Sequence, residues 1–488
     1  MKRHVRIWAA AIILLMGTVC GYGQNTIYIY DHVKYGYGNV YDLNSYTISS
    51  IDLLSITSVN ILNEIPYTKN EYRPVKYIFP EAFSGCYNLK TIQLPSNITH
   101  IGERSFINCY NLKSITLSDS LKKIYHHAFV GCPSLQSIAF PPNMISIGEY
   151  CFSGCTSLKS ITFSDNVQIY NNAFERCKSL KSLAIPRNVK IGVEAFRDCT
   201  GLTSANFSSD VSIGKEAFIG CMALMSVEFS GTAANVEMGD YAFSGCTRLT
   251  DVKIAPTFKA LPGKGWFAGC TALKEIDIPY SMTTIRASMF QNCTALKKLI
   301  LSDKVDIIQE YAFAGCTSLD TVRLPAALIR IRSSVFEGCS DLKAVYIRNK
   351  AISIENSAFK GCSSLTAITI PEQIAKIDAS AFEGCTALDS VTSMIEKPFA
   401  FGKDAFKDIS PTCVLTVPYG RKDAYIAAGW TTQVFKGGIR EMPAPEGIQP
   451  ITVRKKDNAT WYDTDGKETA HPQKGKIYIH GGKKILVK

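Results

Sequence analysis

Fourteen cysteines recur along this 488-residue chain at intervals of 22 to 25 residues: Cys86, Cys109, Cys132, Cys155, Cys177, Cys199, Cys221, Cys246, Cys270, Cys293, Cys316, Cys339, Cys362 and Cys385. They are the first residues to test for chemistry. A structural zinc site takes its ligands in pairs at short spacing, whereas one cysteine per interval builds a column. Stacked neighbours fall within disulfide range in Cα distance, but side chains pointing in parallel cannot easily reach the required dihedral. The column therefore reads as buried, inert thiols, small and apolar enough to pack inside. Cys151, close to Cys155, is one more core residue and no redox CxxC. Histidines are scattered at His4, His32, His100, His126, His127, His471 and His480. His126 and His127 sit between core Ile124 and Phe129 and read as a solvated pair. The chain carries no HExxH, no GxSxG and no phosphate loop; Gly482-Lys483-Lys484 lacks the spacing and hydroxyl of one. No catalytic residue, metal or cofactor is expected, and the protein is read as a non-enzyme.

Binding residues are a different matter, because a repeat places equivalent side chains in columns. One column runs Thr91, Ser114, Ser137, Ser160, Ser182, Ser204 and Ser226, changes to Asp251, Glu275 and Lys298, and returns to Thr321, Ala344 and Ala367. The column beside it is interrupted by Glu228, Lys253, Asp277 and Arg323. The charged band coincides with the two longest units, where GTAANVEMGD and PTFKALPGKGW add loop residues and Trp266. Glu228, Asp251, Lys253, Trp266, Glu275, Asp277, Lys298 and Arg323 are therefore the expected binding residues. The competing reading is that a Ser/Thr face is solvated strand surface and the insertions are tolerated drift.

The elements that must position these columns follow from one unit, AFSGCYNLKTIQLPSNITHIGERSF. Its apolar positions, Cys86, Leu89, Ile92, Leu94, Ile98, Ile101 and Phe106, hold neither period 2 nor period 3.6 for long. They describe a coil turning around a core. Ile92-x-Leu94 and its counterparts alternate as a short strand should, and stacked units align them into a parallel sheet. Proline ends the strand at Pro95, Pro141, Pro186, Pro279, Pro325 and Pro371. Ala-Phe before each cysteine suits one helical turn with Phe as the inward plug, and glycine just before most cysteines suits a left-handed cap. Asn108 and Asn292 are the next-best residues there; Arg176 and Asp198 fit less well. No unit can bury its apolar face alone, so stability comes from stacking. The fold class is an α/β repeat solenoid of about fourteen coils, a leucine-rich-repeat-type parallel sheet with short helical turns and a small β unit at the C-terminus.

The ends carry other signals. Residues 1–23 have a basic start, an apolar run from Ile7 to Val19 and small Gly21 and Gly23, the pattern of a secretory signal peptide. Cys20 offers a second reading, lipid attachment, against which bulky Val19 speaks. No later run reaches the ~18 to 20 apolar residues of a membrane span. Residues 24–80 read as an N-terminal cap with degenerate first coils, 81–385 as the solenoid and 386–441 as a C-terminal cap of strand, turn and closing helix. A linker follows at 442–450, and 451–488 is a β tail with a hairpin turn at Gly481-Gly482. The net charge of +11 sits at the ends, +3 in residues 1–23 and +5 in 451–488, leaving +3 between. That near-neutral middle argues against nucleic acid as a partner.

The unit AF-x-G-C-x-x-L-x-x-I-x-L-P with its Ile-Gly turn resembles the BspA-like, or Treponema-type, leucine-rich repeat family over about residues 60 to 441. The tail YDTDGKETAHPQKGKIYIHGGKKILVK resembles the C-terminal sorting domain of Bacteroidota proteins handled by type IX secretion. The resemblance implies a surface-exposed or released protein without catalytic residues, and a monomer is expected. Some members of the family adhere to host matrix proteins, other bacteria or host cells. The expectation is an adhesin-like binding protein whose partner, a protein or glycan on a host or bacterial surface, contacts the strand face. The alternatives are a passive structural spacer and a carbohydrate-capturing accessory protein.

Overall fold

The computed structural model describes residues 57–487, apart from 62–63, 67–71, 75, 79, 231–235, 257–259, 262, 445–448, 451–460, 464–467, 470 and 481–482. The expected signal peptide, Cys20, and most of the expected N-terminal cap lie outside the described residues. The chain divides into two compact units, Met1–Lys304 and Val305–Lys488.

In the first unit each coil contributes two strands to two parallel ladders. The Ile-x-Leu strands form a five-stranded run, Ser58–Asn60, Thr91–Gln93, Ser114–Thr116, Ser137–Ala139 and Ser160–Thr162. A four-stranded run follows, Ser182–Ile185, Ser204–Phe207, Ser226–Phe229 and Asp251–Ile254, and then the pair Glu275–Asp277 and Lys298–Ile300. The second ladder was not expected. It joins nine two- or three-residue strands at the Ile-Gly turn, from Tyr77–Ile78 and His100–Ile101 to Ala260–Leu261. Register is residue for residue, as in Ile92 beside Ile115 and Ile101 beside Ile124. Because the side-chain period of a strand is 2, this register keeps Ile92, Ile115, Ile101 and Ile124 on the core side.

The Ala-Phe side of the coil is laddered too. The Phe83 amide donates to the Ser105 carbonyl at 2.7 Å, Phe106 to Ala128 at 2.7 Å and Phe129 to Cys151 at 2.8 Å. The expected helical turn is a chain of single turns, with Ser84 N–H to Glu81 O at 3.0 Å, Cys86 to Phe83 at 3.2 Å and Leu89 to Cys86 at 3.1 Å. Left-handed residues at both ends stop it from propagating: Glu81 at φ 59° and Gly85 at φ 71° in this coil, Arg104 at 52° and Asn108 at 61° in the next. Arg176 and Asp198, which fit that cap poorly by residue type, adopt it nonetheless at φ 58° and 55°. Phe83, Phe106, Phe129 and Phe152 stack with centroids 4.9 to 5.0 Å apart and planes within 6°.

The second unit repeats the plan. Thr321–Arg323, Ala344–Tyr346, Ala367–Ile370, Ser390–Ser393, Val414–Val417 and Gly438–Glu441 form a six-stranded parallel sheet. Lys422–Ala427, the one α-helix among the described residues, lies between its last two strands. It brings Tyr425 inside, where the phenol donates to the Ile395 carbonyl at 2.8 Å and takes a hydrogen bond from Ser393 Oγ at 2.6 Å. Trp430 Nε1 donates to the Phe399 carbonyl at 2.7 Å, and its indole packs on Phe406 and Phe435. In the tail, Ile477–His480 and Lys483–Leu486 pair antiparallel within a five-stranded sheet.

Candidate binding surface

The thiols settle first. All sixteen cysteines among the described residues are buried and free. Twelve of the fourteen in the column point their sulfur at the coil before them: Cys109 Sγ donates to the Phe83 carbonyl at 3.2 Å, Cys132 to Phe106 at 3.1 Å and Cys199 to Phe174 at 3.2 Å. Burial pushes Cys199 and Cys339 up to about 12. A thiol that stays protonated is neither nucleophile nor ligand. Among the described residues there is no group of three or more His, Cys, Asp or Glu placed to hold a metal ion.

The outward side chains of the Ile-x-Leu strands come next. Thr91, Ser114, Ser137, Ser160 and Ser182 are exposed, while the inward residues that follow them, Ile92, Ile115, Ile138, Ile161 and Leu183, are at most 6 % exposed. Where the outward column is short, Thr162, Ala184 and Asn206 floor a shallow depression of about 290 Å³ edged by Phe163, Pro186, Ser208 and Ser230.

The expected charged residues fall into separate groups. Ser226 pairs with Asp251 and Glu228 with Lys253 across adjacent strands, and the Lys253 ammonium lies 3.6 Å from the Asp251 carboxylate. On the next pair of strands, Glu275 stands beside Lys298 with 3.8 Å between their charges, and Asp277 beside Ile300. All six charged residues project outward; Glu228 is half-buried and the other five are exposed. Arg323, in the second unit, lies over the Tyr346 ring at 4.4 Å. Exposed pairs of this kind contribute at most ~1 kcal/mol to stability, so they are free to be exchanged for contacts with a partner.

Trp266 corrects the expectation. It is 1 % exposed and belongs to the core, where it occupies the alanine position of Ala-Phe. Gly263 makes room for the larger indole, since a Cβ there would come within 2.8 Å of Trp266 Nε1. The added residues 231–235 and 257–259 lie outside the described residues.

Sequence reasoning also missed a second surface, the outward side of the Ile-Gly ladder. There Tyr77, His100 and Lys123 are register partners on consecutive strands. The available signal was the residue before each Ile of the Ile-Gly turn, which is polar or aromatic in coil after coil.

Two ladders of short parallel strands, a phenylalanine stack and a thiol column define a leucine-rich-repeat solenoid. The model of the BspA type leucine rich repeat region matches residues 76–203, 189–306 and 283–412, well over half the chain, and the protein belongs to that family. A leucine-rich repeat protein from Bacteroides ovatus is 26% identical, with a TM-score of 0.60 over 79% of this chain and 92% of that one. The T. pallidum leucine rich repeat protein is 28% identical over 44% of this chain and 77% of that one, with a TM-score of 0.28. A leucine rich cell surface protein from Faecalibacterium prausnitzii is 21% identical over 79% of this chain and 88% of that one, with a TM-score of 0.34. A search of curated proteins finds no match. Among the described residues, no helix is long and apolar enough to cross a membrane.

Proposed function

We propose that the protein is exported to the cell surface or released, and that it binds a protein partner there through the outward face of its Ile-x-Leu strands, as an adhesin does. The observation that carries the reading is the uncovered row of side chains on a backbone locked by three ladders, which turns from hydroxyls to charges at Asp251, Lys253, Glu275 and Lys298. A rigid, pre-ordered face loses little entropy on binding. Alternating charges on it favour one partner register and penalise mismatched ones. Membership of the BspA type family supports the reading and points to no catalytic role.

The test is capture of surface proteins from the natural surroundings of the organism by the mature chain, followed by quantitative binding of the recovered partner. Substituting Lys253, Glu275 and Lys298 together with alanine should weaken that binding by about tenfold or more. An unchanged affinity would remove the charged band from the site, and the absence of any saturable partner would favour a passive spacer.

A further inference from the structure

The outward side of the second, Ile-Gly ladder carries chemistry that the strand-face reading does not use. Tyr77 and His100 stack at 5.1 Å with planes 26° apart, and His100 and Tyr125 at 6.0 Å with planes 24° apart. Tyr77 is 46% and Tyr125 43% exposed. The imidazole is held in place from beneath. The Thr99 hydroxyl donates to the Lys76 carbonyl at 3.0 Å, so its oxygen is left to accept from His100 Nδ1 at 2.8 Å. That arrangement fixes the tautomer and leaves Nε2 as the free ring nitrogen.

Lys122 and Lys123 stand beside the stack, and Lys76 immediately precedes Tyr77. Lys76 and Lys122 are exposed, Lys123 is half-exposed, and Lys122 and Lys123 are close enough to His100 to lower its pKa, after burial. Among the described residues none of the three ammonium groups has a carboxylate partner. Of the acids in the same coils, Glu81 and Glu103 face Arg104 instead, at 3.9 and 3.5 Å, and exposed Asp119 forms no ion pair with any of the three lysines. The patch is therefore locally cationic in a solenoid that is nearly neutral over its length.

The geometry points to this patch, Lys76, Tyr77, His100, Lys122, Lys123 and Tyr125, as a binding surface for an acidic polysaccharide, a sugar chain bearing carboxylate or sulfate groups. Unpaired lysines answer the anionic groups. Phenol and imidazole rims supply donors and acceptors for sugar hydroxyls. The donors repeat from coil to coil at a strand spacing of ~4.8 Å, which suits a ligand that itself repeats. Nucleic acid fits less well, since unpaired bases stack on open aromatic faces and both faces of His100 are closed by its neighbours.

Binding of the full mature chain to polygalacturonate and to dextran sulfate tests the assignment, with unmodified dextran and single-stranded poly(dT) as comparisons. At least one acidic polysaccharide should bind saturably, more weakly as salt rises, and dextran should not bind. Lys122→Gln with Lys123→Gln should weaken binding by about tenfold. Tyr77→Phe with Tyr125→Phe, which keeps the rings and removes the hydroxyls, should weaken it by about threefold or more. Lys253→Gln with Lys298→Gln, on the strand face, should leave it unchanged. No binding of either acidic polymer, equally tight binding of poly(dT), or an equal loss in the strand-face variant would each overturn the proposal. Binding of a protein partner is read out by the strand-face variants, so the two surfaces stand or fall separately.

Discussion

An unfolded chain begins to ionise its cysteines near their ordinary value of 9.0, whereas burial holds Cys199, Cys293 and Cys385 up to about 12. The sign follows from linkage. The unfolded state loses thiol protons first, so the stabilisation from these groups is complete below about pH 9 and is lost as pH rises from there towards 12. Each affected thiol adds to the loss across that window, and the column contains many of them. Urea midpoints should be flat between about pH 7 and 8 and fall steeply above about pH 9. Replacing two column cysteines by alanine should reduce that slope while costing ~1 to 2 kcal/mol each at neutral pH through lost packing. The thiols should also be silent to a thiol reagent in the folded protein and all titrate in denaturant. The residue types alone were enough to expect this inert column. They did not show that most of these sulfurs donate to the phenylalanine carbonyl of the coil before, because that contact spans 25 to 28 residues.

The elements are short, and two kinds of glycine set their limits. At Gly148 a Cβ would stand 2.5 Å from the Tyr125 carbonyl carbon and 2.6 Å from the His126 nitrogen, so close approach of consecutive coils requires the glycine. Gly154 is different: its φ is +76° and a Cβ would meet nothing closer than 3.9 Å. Gly148→Ala should therefore destabilise by ~1 to 3 kcal/mol through overpacking. Gly154→Asn should cost less than ~1 kcal/mol, since Asn108 and Asn292 hold the same conformation at φ 61° and 60°. Denaturant melts of the two variants test the contrast. The Ile-x-Leu strands were legible because alternation and the following proline mark them. The Ile-Gly ladder was not, because two residues are too few to show a period. Nor was the absence of helix at Ala-Phe legible, because it depends on left-handed Glu81, Arg104 and His127, residue types that do not announce that conformation.

At the scale of the whole molecule, a stack of coils exposes a raw core at each end unless something covers it. In the second unit that cover is built from Tyr425, Trp430 and Phe435, all fully buried. Trp430→Ala should lower the stability of this unit by ~3 to 5 kcal/mol and promote aggregation through the uncovered end, seen as a lower melting temperature and the growth of high-molecular-mass species. The tail bears on delivery. If residues 451–488 act as a sorting signal, their deletion should abolish appearance at the surface without changing the melting of the solenoid; unchanged surface delivery would refute that role.

By itself the sequence determined the repeat, its core positions, the strand that carries the outward Ser/Thr column and the membership of a solenoid class. Each of these is a periodic property, and periodicity survives in one dimension. Only the tertiary structure decided which outward residues are available. It placed Trp266 in the core because the indole stands where other coils have alanine. It divided the charged band between separate strand pairs, and it assembled Lys76, Tyr77, His100, Lys122, Lys123 and Tyr125 from three coils into one patch. Such groupings depend on which side chains neighbouring coils bring together, and that is fixed by stacking register, not by spacing along the chain.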